Sequence, residues 1–77
     1  MASSPAVGRA AALLDLLAAT PRDPLGPSEL ARRIGAPKST VLNICAELVA
    51  AGLLRRVGSG YALGRKLAEL GLSLIHI

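Results

Sequence analysis

The chain has 77 residues, enough for one small domain whose stability is marginal or shared with a partner. About half of it is apolar, with one tyrosine and no phenylalanine or tryptophan, which predicts an aliphatic core and excludes a row of aromatic rings for stacking single-stranded bases. A single cysteine excludes an intramolecular disulfide, one histidine offers no metal-ligand set, and the net charge of +4 is compatible with a polyanionic partner.

The N-terminal stretch predicts a first helix from Pro5 to about Thr20, after a disordered segment at residues 1–4. Apolar side chains recur in it at helical spacing: Ala10, Leu13, Leu14 and Leu17, with Leu16 beside them. Its polar side carries only Arg9 and Asp15, which favours a core helix over a helix lying on a membrane surface. Neither a secretory signal nor an apolar run of bilayer length is visible, so we expect a cytoplasmic protein.

Residues 21–27 contain three prolines, a glycine and an aspartate, a composition that predicts a loop. Leu25 is expected to anchor this loop on the core. Gly26 then suits the N-cap and Pro27 the first position of a second helix. Glu29 falls in its first turn, where a negative charge interacts favourably with the helix dipole.

The second helix leads into a sharp corner. Its apolar side consists of Leu30, Ala31 and Ile34, and Arg32 and Arg33 lie outside that side in the last turn. Gly35 is expected to end the helix, because glycine enters the left-handed backbone region without a Cβ clash. Pro37 is expected at the first position of the next helix, where its missing N–H is no loss.

That third helix is predicted from Pro37 to Ala51, with Gly52 as its stop. Its apolar stripe contains Val41, Ile44, Cys45 and Leu48, and we interpret the cysteine as a small core hydrophobe. The opposite side carries short residues, Ser39, Asn43, Ala46 and Ala50, with Thr40 and Glu47 on one flank. Such a face suits the major groove of DNA, although an ordinary helical hairpin has the same pattern.

A β-hairpin is predicted next, with strands over 53–57 and 61–63 around a Gly58–Gly60 turn. Packed on the helices, such a hairpin forms the wing of a winged helix. Arg55 and Arg56 point to opposite faces of their strand, so at most one of them faces the core. The other is available to a phosphate or the minor groove; two solvated charges on an edge strand are the alternative.

Helical spacing resumes through Leu67 and Leu70 in residues 65–72, with Gly64 as the break before them. We expect residues 5–64 to form the folded domain and residues 65–77 to begin a linker helix. Within the latter, LSLIHI at residues 72–77 corresponds to CTG TCT CTT ATA CAC ATC, which resembles a transposase adapter of sequencing libraries. We therefore expect a non-native tail, with a natural apolar helix end as the alternative.

Three stretches carry a family resemblance: AVGRAAALLDLLA, LGPSELARRIGAPKSTV and LVAAGLLRRVGSGYALGRKLAELG. The most specific pieces are SELARRIGAPKSTV and GLLRR followed by GYALG. Over residues 6–71 the chain closely resembles the N-terminal DNA-binding domain of the IclR (isocitrate lyase regulator) family of bacterial transcription factors. The resemblance implies a winged helix-turn-helix that binds double-stranded operator DNA as a homodimer. It also implies a small-molecule effector bound by a missing C-terminal domain.

The resemblance also assigns roles within the recognition helix. Pro37, Lys38, Ser39 and Thr40 match its start, which suits phosphate contacts. Family members often carry an aromatic residue or histidine and then arginine at the next outward positions, where this chain has Leu42 and Asn43. Asn43 can pair with adenine N6 and N7, and Leu42 can meet a thymine methyl. The full candidate DNA-binding set is Ser28, Lys38, Ser39, Thr40, Leu42, Asn43, Arg55 and Arg56.

The sequence thus predicts a mostly α winged helix-turn-helix with a small β-hairpin that regulates transcription by binding double-stranded DNA. No cofactor is expected. A winged-helix module that binds a protein instead of DNA is the alternative, favoured by Leu42 on the recognition helix and by the apolar tail. An enzyme is not expected, because neither paired carboxylates, a glycine-rich phosphate loop nor a nucleophile with a base is found.

Overall fold

The computed structural model describes residues 5–20 and 23–66. Its elements in chain order are α1 (Pro5–Ala19), α2 (Pro27–Ile34), α3 (Lys38–Ala50), β1 (Leu54–Val57) and β2 (Gly60–Leu63). The two strands form an antiparallel hairpin, the wing. Three helices followed by a two-stranded wing confirm the predicted winged helix-turn-helix.

Several sequence predictions lie outside the described residues. They are the disordered segment at 1–4, the helix through Leu67 and Leu70, and the tail at 72–77. The proposed division into a domain at 5–64 and a linker at 65–77 therefore stays a prediction.

The corner between α2 and α3 forms as expected from its sequence. Gly26 caps α2 with extended backbone, Pro27 opens it, and Gly35 follows it at φ 71°. The N–H groups of Gly35 and Ala36 both donate to the carbonyl oxygen of Ala31, at 2.9 and 3.1 Å. Glycine allows this left-handed turn without steric cost, so α2 ends abruptly and α3 can leave in a new direction.

The start of α3 differs from the prediction by one residue. Pro37 is the N-cap rather than the first helical residue, because its ψ of 145° is extended although its φ of −62° suits a helix. Its carbonyl oxygen accepts the first helical hydrogen bond, from the Val41 N–H at 3.1 Å. The predicted end at Ala51 is also late by one residue: Ala51 is the C-cap, and Gly52 turns the chain away at φ 82°.

The wing also begins and turns one residue away from the prediction. Leu53 is not in β1, because its N–H donates at 2.9 Å to the Leu48 carbonyl oxygen at the end of α3. Gly60 belongs to β2, where it pairs with Val57 across a two-residue turn. The turn opens at Gly58 with φ 61°, the positive value that two-residue hairpins need.

Leu25 ties the loop before α2 to the wing. Its N–H donates to the Tyr61 carbonyl oxygen at 3.1 Å, and the Tyr61 N–H donates back to Leu25 at 2.9 Å. The predicted anchoring of Leu25 is thus confirmed, but it includes a backbone bridge to β2 as well as apolar packing.

The core draws on every helix and strand. Its buried residues are Leu13, Leu17, Leu30, Val41, Cys45, Leu54 and Tyr61. The expectation of a wholly aliphatic core is wrong at Tyr61, which is only 4% exposed. The ring is buried because β2 pairs with both β1 and Leu25, which places this residue between the wing and the helices.

Candidate nucleic-acid interface

The outer face of α3 is built from short side chains that remain open to solvent. Val41 and Cys45 are fully buried, so they fix the rotation of the helix on the core. On the far side, Ser39, Asn43, Ala46 and Ala50 are all exposed, and Thr40 is half-buried on the flank. Leu42, beside Asn43, is 40% exposed. The predicted outer face of α3 is therefore exposed as expected, and short side chains of this kind suit the major groove of DNA.

The first turn of α3 offers positive charge and unpaired backbone donors. Lys38 and Ser39 are exposed there, and no side chain caps the helix. Because the Val41 N–H makes the first helical hydrogen bond, the N–H groups of residues 38–40 have no intrahelical acceptor. This combination can bind an anion such as a phosphate.

Glu29 holds both arginines of α2. The Arg32 Nη2 lies 2.5 Å and the Arg33 Nε lies 2.6 Å from its Oε2 atom. Hydrogen bonds from Arg32 and then from Arg33 hold the pKa of the Glu29 carboxyl below its ordinary value. Only an interaction with the helix dipole was predicted for Glu29, although its spacings of three and four residues from Arg32 and Arg33 already indicate ion pairs.

Ser28 lies beside this cluster, exposed at the second position of α2. It is thus accessible from solvent, as a phosphate contact would require. No hydrogen bond of its side chain within the described residues commits it to another role.

Both wing arginines are exposed, in agreement with the prediction that at most one would face the core. Arg56 shares a strand face with buried Leu54 but keeps its charge in solvent by lying over the ring of Tyr61, 5.4 Å from the centroid. Arg55 donates from Nε to the Leu63 carbonyl oxygen at 3.2 Å. Each guanidinium is therefore positioned by a contact within the wing, and the Tyr61 contact was missed because it depends on strand register.

The single thiol of the chain, that of Cys45, lies in the core and takes its properties from burial. Cys45 is fully buried and unpaired, and desolvation raises the pKa of its thiol. Its interpretation as a small core residue is confirmed.

Over the described residues, no helix is both long enough and apolar enough to span a bilayer.

A comparison with protein families identifies the kind of domain that carries this surface. A family model for the IclR helix-turn-helix domain matches residues 6–58. The chain belongs to this family. Comparison with curated proteins and comparison with solved structures each gave no match.

The IclR match covers all three helices and β1, and it ends in the turn of the wing. The structure adds β2, which completes the hairpin by pairing with β1. As an IclR helix-turn-helix domain, the chain is a DNA-binding domain of a transcription regulator. The family resemblance inferred from the sequence is confirmed.

Proposed function

We propose that this IclR-type domain binds double-stranded DNA sequence-specifically and that α3 lies in the major groove. The observation that carries the proposal is the outer face of α3, which is exposed and carries short side chains, with polar groups at Ser39 and Asn43, while the opposite side of the helix is buried in the core. Base edges in the major groove present a distinct pattern for each pair, so a helix inserted there can read sequence.

The first and second turns of α3 have different roles in this proposal. Lys38, Ser39 and Thr40 contact phosphates at the start of the helix, where charge and free N–H groups coincide. Asn43 pairs with an adenine, and the exposed part of Leu42 packs on a thymine methyl. Affinity then comes from the first turn of the helix and specificity from its second turn.

Contacts beside α3 extend the interface to neighbouring phosphates. Ser28 supplies a hydroxyl from the first turn of α2, and Arg55 and Arg56 supply charge from the wing. The contact with Tyr61 holds the Arg56 guanidinium over the hairpin, which reduces the freedom it would lose on binding.

The regulator acts as a homodimer in this proposal, because a two-fold operator contains two half-sites and one copy reads only one. An apolar groove with a volume of about 220 Å³ lies between α1 and α3, lined by Val7, Ala10, Ile44 and Leu48 among others, and offers a candidate contact surface. Val7 is 63% exposed, so its side chain is available to a partner. Analytical ultracentrifugation should show a concentration-dependent dimer; a monomer at all concentrations would refute this part.

A small-molecule effector would act through a separate domain.

Selection from a pool of randomised duplexes tests the proposal. The chain should enrich a defined motif, and Asn43→Ala should change one position of it, with a loss of about 1–3 kcal/mol on the original sequence. Lys38→Ala should weaken all duplexes by a similar factor and leave the motif unchanged. Arg9→Ala, which removes a cation from α1, is the matched control for charge.

Two results would contradict the proposal. One is the absence of any enriched motif, which would remove the claim of sequence specificity. The other is unchanged binding in both the Lys38 and Asn43 variants, which would place the interface elsewhere. Binding that is insensitive to salt would favour the protein-interaction alternative, since contacts to several phosphates weaken steeply as salt rises.

A further inference from the structure

A second basic surface lies at the end of the wing opposite its turn. There a cavity of about 290 Å³, the wing-base cavity, is lined by Gly52, Leu54, Arg55, Gly64, Arg65 and Lys66. Its three cations come from β1 and from the residues that follow β2. Arg65 and Lys66 take no part in the DNA contacts proposed above, so their convergence with Arg55 needs its own explanation.

The backbone around this cavity is tightly fixed. The Gly64 N–H donates to the Leu53 carbonyl oxygen at 2.8 Å, and the Lys66 N–H donates to the Gly52 carbonyl oxygen at 3.2 Å. A Cβ on Gly64 would overlap the Gly52 carbonyl oxygen and lie 2.9 Å from the Leu53 carbonyl carbon. The chain after β2 is therefore held directly against the end of α3, which brings Arg65 and Lys66 beside Arg55.

One of the three cations is oriented by a hydrogen bond, and none of them is paired with a carboxylate within the described residues. Arg55 is held through its Nε atom by the Leu63 carbonyl oxygen, which leaves its terminal N–H groups for another acceptor. Every ion pair found in residues 5–20 and 23–66 involves Glu29, on α2. Three positive side chains thus line one concave surface without a carboxylate from that part of the chain.

We propose that the wing-base cavity binds a phosphate group. A phosphate presents three strongly accepting oxygens, and guanidinium and ammonium groups form short, charge-assisted hydrogen bonds to such oxygens. The phosphate belongs either to the DNA backbone, in which case the inference rests on the proposed function, or to a free phosphate compound. Two measurements separate these sources.

The first measurement titrates inorganic phosphate into the ¹⁵N-labelled chain at constant ionic strength, with chloride as the comparison anion. The amide signals of Gly64, Arg65 and Lys66 should shift and saturate with phosphate but not with chloride. The combined variant Arg55→Gln, Arg65→Gln and Lys66→Gln should weaken this binding by about tenfold or more. Arg9→Gln, a cation of α1 outside the cavity, should leave it unchanged.

The second measurement follows the affinity for duplex DNA as salt is raised. If the cavity holds one backbone phosphate, the double variant Arg65→Gln and Lys66→Gln, which keeps Arg55 and its proposed DNA contact, should reduce the slope of log K against log salt by about 0.9 relative to Arg9→Gln. If phosphate binds but the slope is unchanged, the ligand is a free phosphate compound. Because all three positions are exposed or on the surface of the wing, circular dichroism should confirm that each variant folds.

Two results together would overturn the inference. The amide shifts caused by phosphate would either fail to saturate or be equal in the wild type and both variants, and the salt slopes would also coincide. Failure of the wild type to bind any duplex would refute the proposed function but leave the phosphate titration as an independent result. The single variant Arg65→Gln, which leaves the Arg55 contact intact, provides a milder second test and should weaken phosphate binding in the same direction.

Discussion

At the scale of single residues, glycines illustrate what the sequence can and cannot predict. Gly35 was predictable, because a corner between two short helices requires a left-handed residue that only glycine supplies without strain. The role of Gly64 was not, because it depends on a close approach to Gly52 that exists only after the wing has folded onto α3. The sequence pattern shows where a positive φ is needed, as at Gly35. Only the tertiary structure shows where a neighbouring segment leaves no room for a Cβ atom, as at Gly64.

Gly64→Ala should destabilise the domain by about 1–3 kcal/mol, since the added methyl forces the backbone apart. Gly8→Ala is the matched control: it lies in α1, a Cβ there meets nothing within 4 Å, and alanine is the better helix former. It should stabilise by about 0.5–1 kcal/mol. Urea unfolding followed by circular dichroism measures both changes, and a neutral Gly64→Ala would contradict the described approach of the two segments.

Among the candidate DNA-binding residues, too, some positions could be predicted from the sequence and others required the tertiary structure. The face of α3 followed from helical periodicity, because Val41 and Cys45 had to be buried and their opposites had to be exposed. The positions of the wing arginines did not follow, since strand alternation gives relative but not absolute orientation. Only the pairing of Arg56 with Tyr61 shows how both arginines reach solvent.

At the scale of elements, the helices and the strands of the wing were all predicted within one residue, but the contacts that hold the wing in place were not. Prolines and glycines mark the ends of α2 and α3 locally, so the errors there concern a single dihedral angle of Pro37 and one residue at Ala51. The wing depends on non-local pairs, including the bridge from Leu25 to Tyr61, which no local pattern encodes. The sequence therefore predicts the ends of elements that are fixed by local backbone conformation. It does not predict the contacts that are made by pairing with a distant segment.

The ion pairs of α2 should make the stability of this helix sensitive to acid. Because the pKa of Glu29 is lowered on folding, its stabilising effect is complete above the ordinary glutamate value of 4.5 and is lost as the pH falls through the lowered pKa. Glu29→Gln should therefore lower the melting temperature at pH 7, and the difference from the wild type should shrink on acidification.

Glu47→Gln is the control for this experiment, since Glu47 is exposed on α3 and forms no ion pair within the described residues. Thermal unfolding between pH 2 and pH 7 provides the measurement. If the wild type and Glu29→Gln gave parallel profiles, the hydrogen bonds from Arg32 and Arg33 would not contribute to folding in solution.

At the scale of the whole molecule, one small core holds together the five elements found in residues 5–20 and 23–66. It contains residues from every helix and both strands, so the wing and the recognition helix share a single cooperative unit. A domain of this size has a total stability of roughly 4–11 kcal/mol. The position of α3 relative to the wing, and hence any DNA interface, depends on very few side chains.

Leu13→Ala should therefore remove about 2–5 kcal/mol, because Leu13 is fully buried at the centre of this core. Leu42→Ala provides the contrast: its side chain is 40% exposed, and its loss should change stability by less than about 0.5 kcal/mol. Chemical denaturation compares the two. Equal losses would show that Leu42 packs in a way that its exposure does not indicate.

The central claim is that the chain binds duplex DNA through the outer face of α3 and the wing. The most direct test is to titrate the ¹⁵N-labelled chain with its selected duplex and to map the amide signals that shift. We expect shifts at Ser39, Asn43 and Ala46 and in the wing at Arg55 and Arg56, with small changes on the exposed side of α1. Shifts confined to the groove between α1 and α3, with an unperturbed outer face of α3, would contradict it.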